Sequence, residues 1–376
     1  MRIVCISSSQ VPSDSANSIQ VMKVCQAFTQ LGHETTLLVP GNPPLINSYL
    51  PTVNSDQLST HYGLASSFPI EWLSSPRRIF PWLAVRHARA IEADLLYAWP
   101  LQSAVFGLLM KLPVLLEMHD LPSGLFGPLW YCLFLKLSGR KRLLPITQAL
   151  RRELERRYRT LPDGQVIIAP DGVDLDRYAN LPDPESARHQ LGLDSSLTVI
   201  CTGHLYRGRG IALFLALAAK FPKINFLWIG GRPADVDEWR RRASSLKNVI
   251  FTGFVKNEKI PLYQAAADIL LMPYERTVST SSGGNTAAIC SPMKMFEYMA
   301  AGRAIISSDL PVLHEVLDDE CAVFCPPEDA GKWQESLSLL LADPKRRQVI
   351  GQRARAKAKS YSWLARASSV LGNFND

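Results

Sequence analysis

Apolar runs of strand length and helical apolar stripes alternate along most of this chain. Residues 2–7 form a short apolar run, and Ile19, Met22, Phe28 and Leu31 fall on one side of a helix over 19–31 that Gly32 would close. A second strand is expected at 33–39, inner strands at 95–99 and 114–118, and the last strand of the N-terminal half at 166–169. Beyond a proline-rich linker at 181–185 the alternation resumes. Strands are expected at 197–202, 224–229, 249–255, 267–273 and 304–308, with helices at 211–219, at 291–302 and from residue 344 onward. The order strand, helix, strand describes an α/β chain with a doubly wound sheet in each half. The expected organisation is an N-terminal domain over 1–170, a C-terminal domain over 171–355 and a terminal helical segment over 356–376.

Two segments break the pattern. Residues 125–137 are apolar nearly all round and rich in aromatics, and Gly139-Arg-Lys-Arg142 follows. An apolar aromatic patch beside basic residues suits an anionic membrane surface, whereas a core helix followed by a solvated basic helix at 148–159 fits equally well. Charge sharpens the point. Residues 136–159 hold nine Lys or Arg against two Glu, an excess equal to the chain's whole net charge of +7. Segment 125–142 is therefore a candidate membrane-facing surface, and nucleic acid is not an expected partner, because these arginines are not interleaved with aromatics in the manner of a base-stacking surface.

Composition sets the remaining limits. A length of 376 residues suits two domains, and 47% hydrophobic with 20% charged residues is the balance of a globular protein. The seven cysteines are odd in number and include no C-x-x-C pair, which points to reduced thiols and a cytoplasmic protein. The chain opens Met-Arg-Ile-Val-Cys, entering a strand with no long apolar signal core. No apolar run reaches the roughly 18–20 residues of a spanning helix, so any membrane contact is expected to be peripheral, on the inner face.

Candidate chemistry concentrates in the second half. In Ser291-Pro-Met-Lys-Met-Phe-Glu-Tyr-Met-Ala-Ala-Gly302, Ser291 suits a helix cap, Pro292 the first helical position and Gly302 a left-handed stop. Lys294 lies in the first turn, where the helix dipole disfavours a cation unless an anion is also present. Glu297 sits at the edge of an apolar face made by Met293, Phe296, Met299 and Ala300. A nucleoside diphosphate satisfies both, its phosphates at the helix start and its ribose hydroxyls on Glu297. A plain Lys294–Glu297 pair at i,i+3, contributing ~0.2–0.5 kcal/mol, is the alternative.

Upstream, Gly203-His-Leu-Tyr-Arg-Gly208-Arg209-Gly210 nearly matches a P-loop, but Arg209 replaces the lysine and Gly210 removes the magnesium-holding hydroxyl. Such a turn can still grip phosphate without a metal. Asp174-Leu-Asp176 and Asp235-Val-Asp237 are D-x-D triplets out of context for a metal site. The first loop, 7–18, has no glycine and so lacks the dinucleotide fingerprint. Its polar residues suit either helix caps or acceptor contacts. Residues 275–289, with Gly283-Gly284, read as a lid or a connector.

Ser291-Pro-x-Lys-x-x-Glu-Tyr-Met-Ala-x-Gly302 resembles the nucleotide-sugar motif of the family-4 (group 1) glycosyltransferases. Gly203 to Gly210 resembles that family's Gly-Arg-Leu-x-x-x-Lys-Gly, with His204 at the arginine position and Arg209 at the lysine position. Gly172-Val-Asp174, Thr252-Gly-Phe254-Val and Ala267-Asp-x-x-x-x-Pro273 match further elements. The resemblance departs from the pattern at Ile289, where the family has a second glutamate. It implies a GT-B fold of two facing Rossmann-like domains, with a C-terminal helix crossing back to the N-terminal one. It also implies a retaining, metal-independent transfer from a nucleotide-diphosphate sugar, the co-substrate, to an unidentified acceptor, with no other cofactor. Catalytic roles fall to His119, Arg209 and Lys294, and donor binding to Glu297, His204, Gly203, Ser291, Pro292, Met293 and Phe254. The other readings are a non-catalytic sugar-nucleotide-binding protein, an epimerase of the same fold, and a P-loop nucleotide hydrolase.

Overall fold

A computed structural model describes residues 1–42, 55–159, 161–278, 286–372 and 374. They form two units, one of Met1–Asp171 joined by the segment from Trp363, the other of Gly172–Ser362. The second unit thus runs past 355, because the helix Pro344–Ala358 packs on the helix Met293–Ala301 of the same unit.

In the first unit, β1 (Arg2–Ile6), β2 (Glu34–Pro40), β3 (Ile70–Leu73), β4 (Leu95–Ala98), β5 (Val114–Met118) and β6 (Lys141–Pro145) make a parallel sheet in the order β3-β2-β1-β4-β5-β6. The second unit repeats this with β7 (Thr198–Thr202), β8 (Asn225–Ile229), β9 (Val249–Gly253), β10 (Ile269–Met272), β11 (Ala304–Ser308) and β12 (Val323–Cys325), ordered β12-β11-β10-β7-β8-β9. Both are Rossmann-like. Central strands such as β4, β5, β7 and β10 are buried along their whole length, as parallel strands covered on both faces must be. Each sheet reverses its strand order once, between β1 and β4 and between β7 and β10. The crevice outside the carboxyl ends of the strands at such a reversal is where doubly wound sheets hold ligands.

Two expectations are corrected. Residues 166–169 are not a strand: Ile167 and Ala169 donate to Leu143 O and Pro145 O at 3.0 and 2.9 Å, but the pairing amounts to one isolated bridge, Val166 with Leu143, and Pro170, lacking an N–H, follows at once. The sixth strand is instead β6, which begins with two of the residues taken for a basic surface. Lys141 and Arg142 are buried, each closing a helix end. Lys141 Nζ donates to the carbonyls of Phe134, Leu135 and Leu137 at 2.8, 2.9 and 2.6 Å, at the end of the helix Gly127–Lys136. Arg142 Nη1 donates to Val370 and Gly372 at 2.7 and 2.9 Å, at the end of the helix Trp363–Leu371. Terminal carbonyls left over by a helix are natural partners for such cations.

The downstream helix Gln148–Arg157 is also less basic than its composition suggests. Arg151 pairs with Glu155 and Asp163, while Arg156 and Arg157 share Glu153. What stays exposed of the expected membrane surface is Lys136, Arg140 and, at the start of Gly127–Lys136, the apolar Leu125, Phe126 and Leu129, which are 85%, 61% and 64% exposed. Among the described residues no helix is long and apolar enough to cross a membrane.

The first loop behaves mainly as a cap. Ser15 accepts from Ser18 N–H and starts the helix Ala16–Gln30, while Ser9 accepts from Ser7 Oγ at 2.9 Å and Asn17 Nδ2 at 2.7 Å. Trp363–Leu371 packs on Ala16–Gln30, which ties the chain's last helix into the first unit.

Candidate functional site

In the second unit three segments meet at the β7/β10 reversal. The loop leaving β7 carries Gly203, Gly208 and Gly210 at φ of 129°, 87° and 79°. A Cβ at Gly210 would lie 1.8 Å from the Pro273 carbonyl oxygen, and one at Gly208 would lie 2.0 Å from that of Thr277. Glycine is therefore what lets this loop press against the segment leaving β10, where Glu275 N–H also donates to Gly208 O at 3.0 Å. The third segment is the helix Met293–Ala301, ended by Gly302 in the left-handed conformation as expected. Its N-cap is Pro292, in extended backbone, rather than Ser291. Proline offers no capping hydroxyl, so Ser291 stands one residue outside the position expected of it, and Pro292 one outside its own.

Lys294 does not pair with Glu297. Its Nζ reaches the end of β7 and donates to Thr202 O at 2.7 Å, 3.5 Å from where a Cβ on Gly203 would sit. It also lies 4.8 Å from the ring centroid of Tyr274, just past β10. Arg209 uses the same side chain, its Nη1 donating to Tyr274 Oη at 2.8 Å and its Cζ lying 5.1 Å from the ring centroid. The two cations are thus no farther apart than the sum of their distances to one ring. At about 10 Å and an effective dielectric near 20 their repulsion is on the order of 2 kcal/mol. Two cation–π contacts at ~0.5–1 kcal/mol each roughly offset it. They do not neutralise it. Among the described residues neither Arg209 nor Lys294 has an ion-pair partner, and the buried Nε of Arg209 has no hydrogen bond. This arrangement invites an anion.

Glu297 lies one turn beyond Lys294 and is held from behind. Tyr178 Oη donates to Gln264 Oε1 at 2.9 Å, and Gln264 Nε2 donates to Glu297 Oε2 at 3.1 Å, with Gln264 fully buried. Other expected donor residues are dispersed. His204 stacks on Tyr206 at 4.9 Å, and Arg232 lies over the Tyr206 ring at 5.3 Å from its centroid. Phe254 is exposed just past β9, and Met293 is half-buried at the first helical position. Ile289, where the family has its other glutamate, is buried. Residues 279–285 of the expected lid lie outside the described residues. Among the described residues no group of three or more His, Cys, Asp or Glu is placed to hold a metal.

In the first unit His119 follows β5 and its Nε2 lies 2.6 Å from Glu117 Oε1. Glu117 is wholly buried inside β5 and collects four partners, which a carboxylate out of water requires. Gln20 and His119 share Oε1, while Tyr97 and Arg366 share Oε2, the last at 2.7 Å. Burial pushes the Glu117 pKa up, but Arg366, His119 and Tyr97 outweigh it and bring the group to about 2. Burial likewise pulls His119 down, yet Glu117 and then Asp171 carry it above the ordinary histidine value. Asp171, buried nearby, is raised to about 6 by desolvation, which His119 and Arg366 only partly offset. Arg366, from the final helix, also donates to Pro170 O at 2.8 Å and Ala169 O at 3.2 Å.

Tyr274, Gln264, Glu117 and Arg366 were not anticipated. A signal existed for Glu117, a lone charge inside a buried strand. It was weaker for Tyr274, an aromatic just past the strand at the sheet's reversal, where ligands collect.

Comparison with known proteins agrees with this architecture. A model of the glycosyl transferases group 1 matches residues 196–343, and one of glycosyltransferase family 4 matches residues 18–177. A phosphatidyl-myo-inositol mannosyltransferase from Mycolicibacterium smegmatis is 24% identical over 99% of this chain and 92% of its own length. An alpha-galactosylglucosyldiacylglycerol synthase from Streptococcus pneumoniae is 25% identical over 54% of this chain and 52% of its own. Among solved structures, the Anabaena protein HepE in complex with UDP superposes with a TM-score of 0.74 at 15% identity over the full length of both chains. A Rickettsia africae glycosyltransferase gives 0.76 at 12% identity over 100% of this chain and 97% of that one. With its two Rossmann-like sheets and a family match in each half, the chain belongs to the family-4, group 1 glycosyltransferases of GT-B fold, and it is an enzyme.

Proposed function

We propose that the protein moves a sugar from a nucleotide-diphosphate sugar to an acceptor with retention of configuration and without a metal ion. One observation carries this reading: Arg209 and Lys294 converge on Tyr274 at the sheet reversal with no carboxylate partner among the described residues. As the bond between the sugar and the diphosphate breaks, negative charge develops on the departing phosphate oxygen, and two fixed cations stabilise it without reorganising. The acceptor hydroxyl attacks from the same face, and its proton passes to that oxygen. Glu297, oriented by Gln264, accepts from the ribose hydroxyls. His119, its imidazolium favoured by Glu117, is the further catalytic residue of this reading. HepE in complex with UDP and with UDP-glucose supports a donor of this class. Calorimetric titration with UDP- and GDP-sugars tests it: Arg209→Ala and Glu297→Ala should each weaken donor binding about 10-fold or more. Parent-like affinity in both would end the reading.

For the acceptor, exposed Leu125, Phe126 and Leu129 support one that is carried in a lipid surface, met from the cytoplasmic side. Two relatives, the phosphatidyl-myo-inositol mannosyltransferase and the alpha-galactosylglucosyldiacylglycerol synthase, support the same class. Since Lys141 and Arg142 are buried, apolar insertion rather than a basic cluster would hold the protein there. Co-sedimentation with phosphatidylglycerol vesicles should fall when Leu125 and Phe126 are both replaced by serine. Absence of vesicle binding by the parent would remove the proposal.

A further inference from the structure

Tyr274 stands at the centre of the cationic site, yet a buried aromatic ring at the end of a strand needs no hydroxyl to fill space. Its hydroxyl is committed to Arg209 rather than to the backbone, at 2.8 Å. The backbone around it is held from several directions. Tyr274 N–H donates to Met272 O at 3.0 Å, Ser308 Oγ donates to Tyr274 O at 2.6 Å, and the next residue bonds the glycine loop through Gly208 O. Gly210 lies against the preceding Pro273 so closely that no side chain fits between them. A ring so confined cannot follow its partners, so Arg209 and Lys294 must come to it.

We propose that Tyr274 is a positioning residue for the donor diphosphate: its hydroxyl aims the Arg209 guanidinium and its ring face holds Lys294 beside it, so that the two cations converge before the ligand arrives. The inference rests on the reading of these cations as diphosphate ligands and adds to it the residue that organises them. An anion then meets charges already gathered, and their mutual repulsion, offset by the ring in the empty site, is relieved by the ligand itself. The guanidinium keeps its second Nη for the phosphate, because only Nη1 is engaged by the phenol and the Nε is buried.

The test compares a ligand that has the diphosphate with one that lacks it. Uridine, guanosine, adenosine and cytidine, and their 5′-diphosphates, are titrated by calorimetry into the full chain and into Tyr274→Phe and Tyr274→Leu. In the parent one diphosphate binds much more tightly than its nucleoside. Tyr274→Phe, which keeps the ring, should lose about 10-fold of diphosphate affinity, the scale of one hydrogen bond to a charged group, with nucleoside affinity unchanged. Tyr274→Leu should lose roughly a further 3-fold or more with the cation–π contacts. A general structural defect would weaken both ligands together. An unchanged ratio of diphosphate to nucleoside affinity in Tyr274→Phe overturns the role of Tyr274 while leaving the diphosphate site standing. A parent that does not prefer the diphosphate overturns both. If Tyr274→Leu fails to fold, Tyr274→Phe alone decides.

Discussion

The two units build their polar centres by opposite rules. In the first, the Glu117 carboxylate gathers Gln20, Tyr97, His119 and Arg366, and every charge finds its opposite inside the unit. In the second, the neutral Tyr274 gathers Arg209 and Lys294, and neither cation has an ion-pair partner among the described residues. A closed network holds a fold and tunes the one member that reaches the surface, His119, whose side chain stays 33% exposed. An open one stores potential for a ligand. Charge balance therefore separates a positioning cluster from a binding cluster more sharply than the number of polar residues in either.

The largest test of this contrast is Arg366→Met. Removing the cation leaves Glu117 buried with its main compensating charge gone, a loss of about 3–5 kcal/mol in unfolding free energy by urea titration. A loss below about 1 kcal/mol, the scale of an exposed ion pair, would show the first cluster to be less closed than its contacts indicate.

Next is Asp171→Asn. The folded pKa of about 6 lies above the unfolded value of 3.8, so the folded state prefers the protonated acid, and stability is lost as the pH rises from about 4 to 6, the loss being complete above 6. The variant should be more stable than the parent above pH 6, by on the order of 2–3 kcal/mol, and equal to it below pH 4. Glu117 has the reverse sign. Its folded pKa of about 2 is below the unfolded 4.5, so its contribution is present above pH 4.5 and disappears as the pH falls toward 2. Stability measured between pH 2 and 8 in parent and variant checks both.

A third prediction is local. Inorganic pyrophosphate at 100 times its dissociation constant should stabilise the second unit by about 2.7 kcal/mol and slow hydrogen exchange around 203–210 and 293–297. Exchange around Glu117 should stay unchanged. Equal protection in both places would erase the distinction. Smallest of all, Arg156→Ala on the exposed pair with Glu153 should leave the melting temperature unaltered, since such pairs are screened by water.

The alternation of strands and helices was legible in the chain, because parallel strands covered on both faces must be apolar along their length. Val114–Met118 was located to the residue, and the other inner strands within a residue or two of their ends. The glycine loop and the helix carrying Lys294 and Glu297 were legible as well, since tight turns and helix stops impose local residue choices. Strand β6 was not, since it opens with Lys and Arg, and their burial depends on carbonyls of two helix ends, one of them 228 residues away at Val370. Nor was the partner of Lys294. Helical spacing offered Glu297 at i+3, while the fold offered Thr202 O and Tyr274, which no local repeat connects to it.

The sequence by itself determined two doubly wound sheets and the two motifs of the second one, because backbone periodicity and glycine conformations act over a few residues. Only the tertiary structure decided which charges are balanced and which await a ligand. Coulomb and hydrogen-bond energies depend on distances between atoms, and those atoms come from strands, loops and helices far apart in the chain. Arg366 on Glu117 and Arg209 on Tyr274 are both invisible until the sheets have formed.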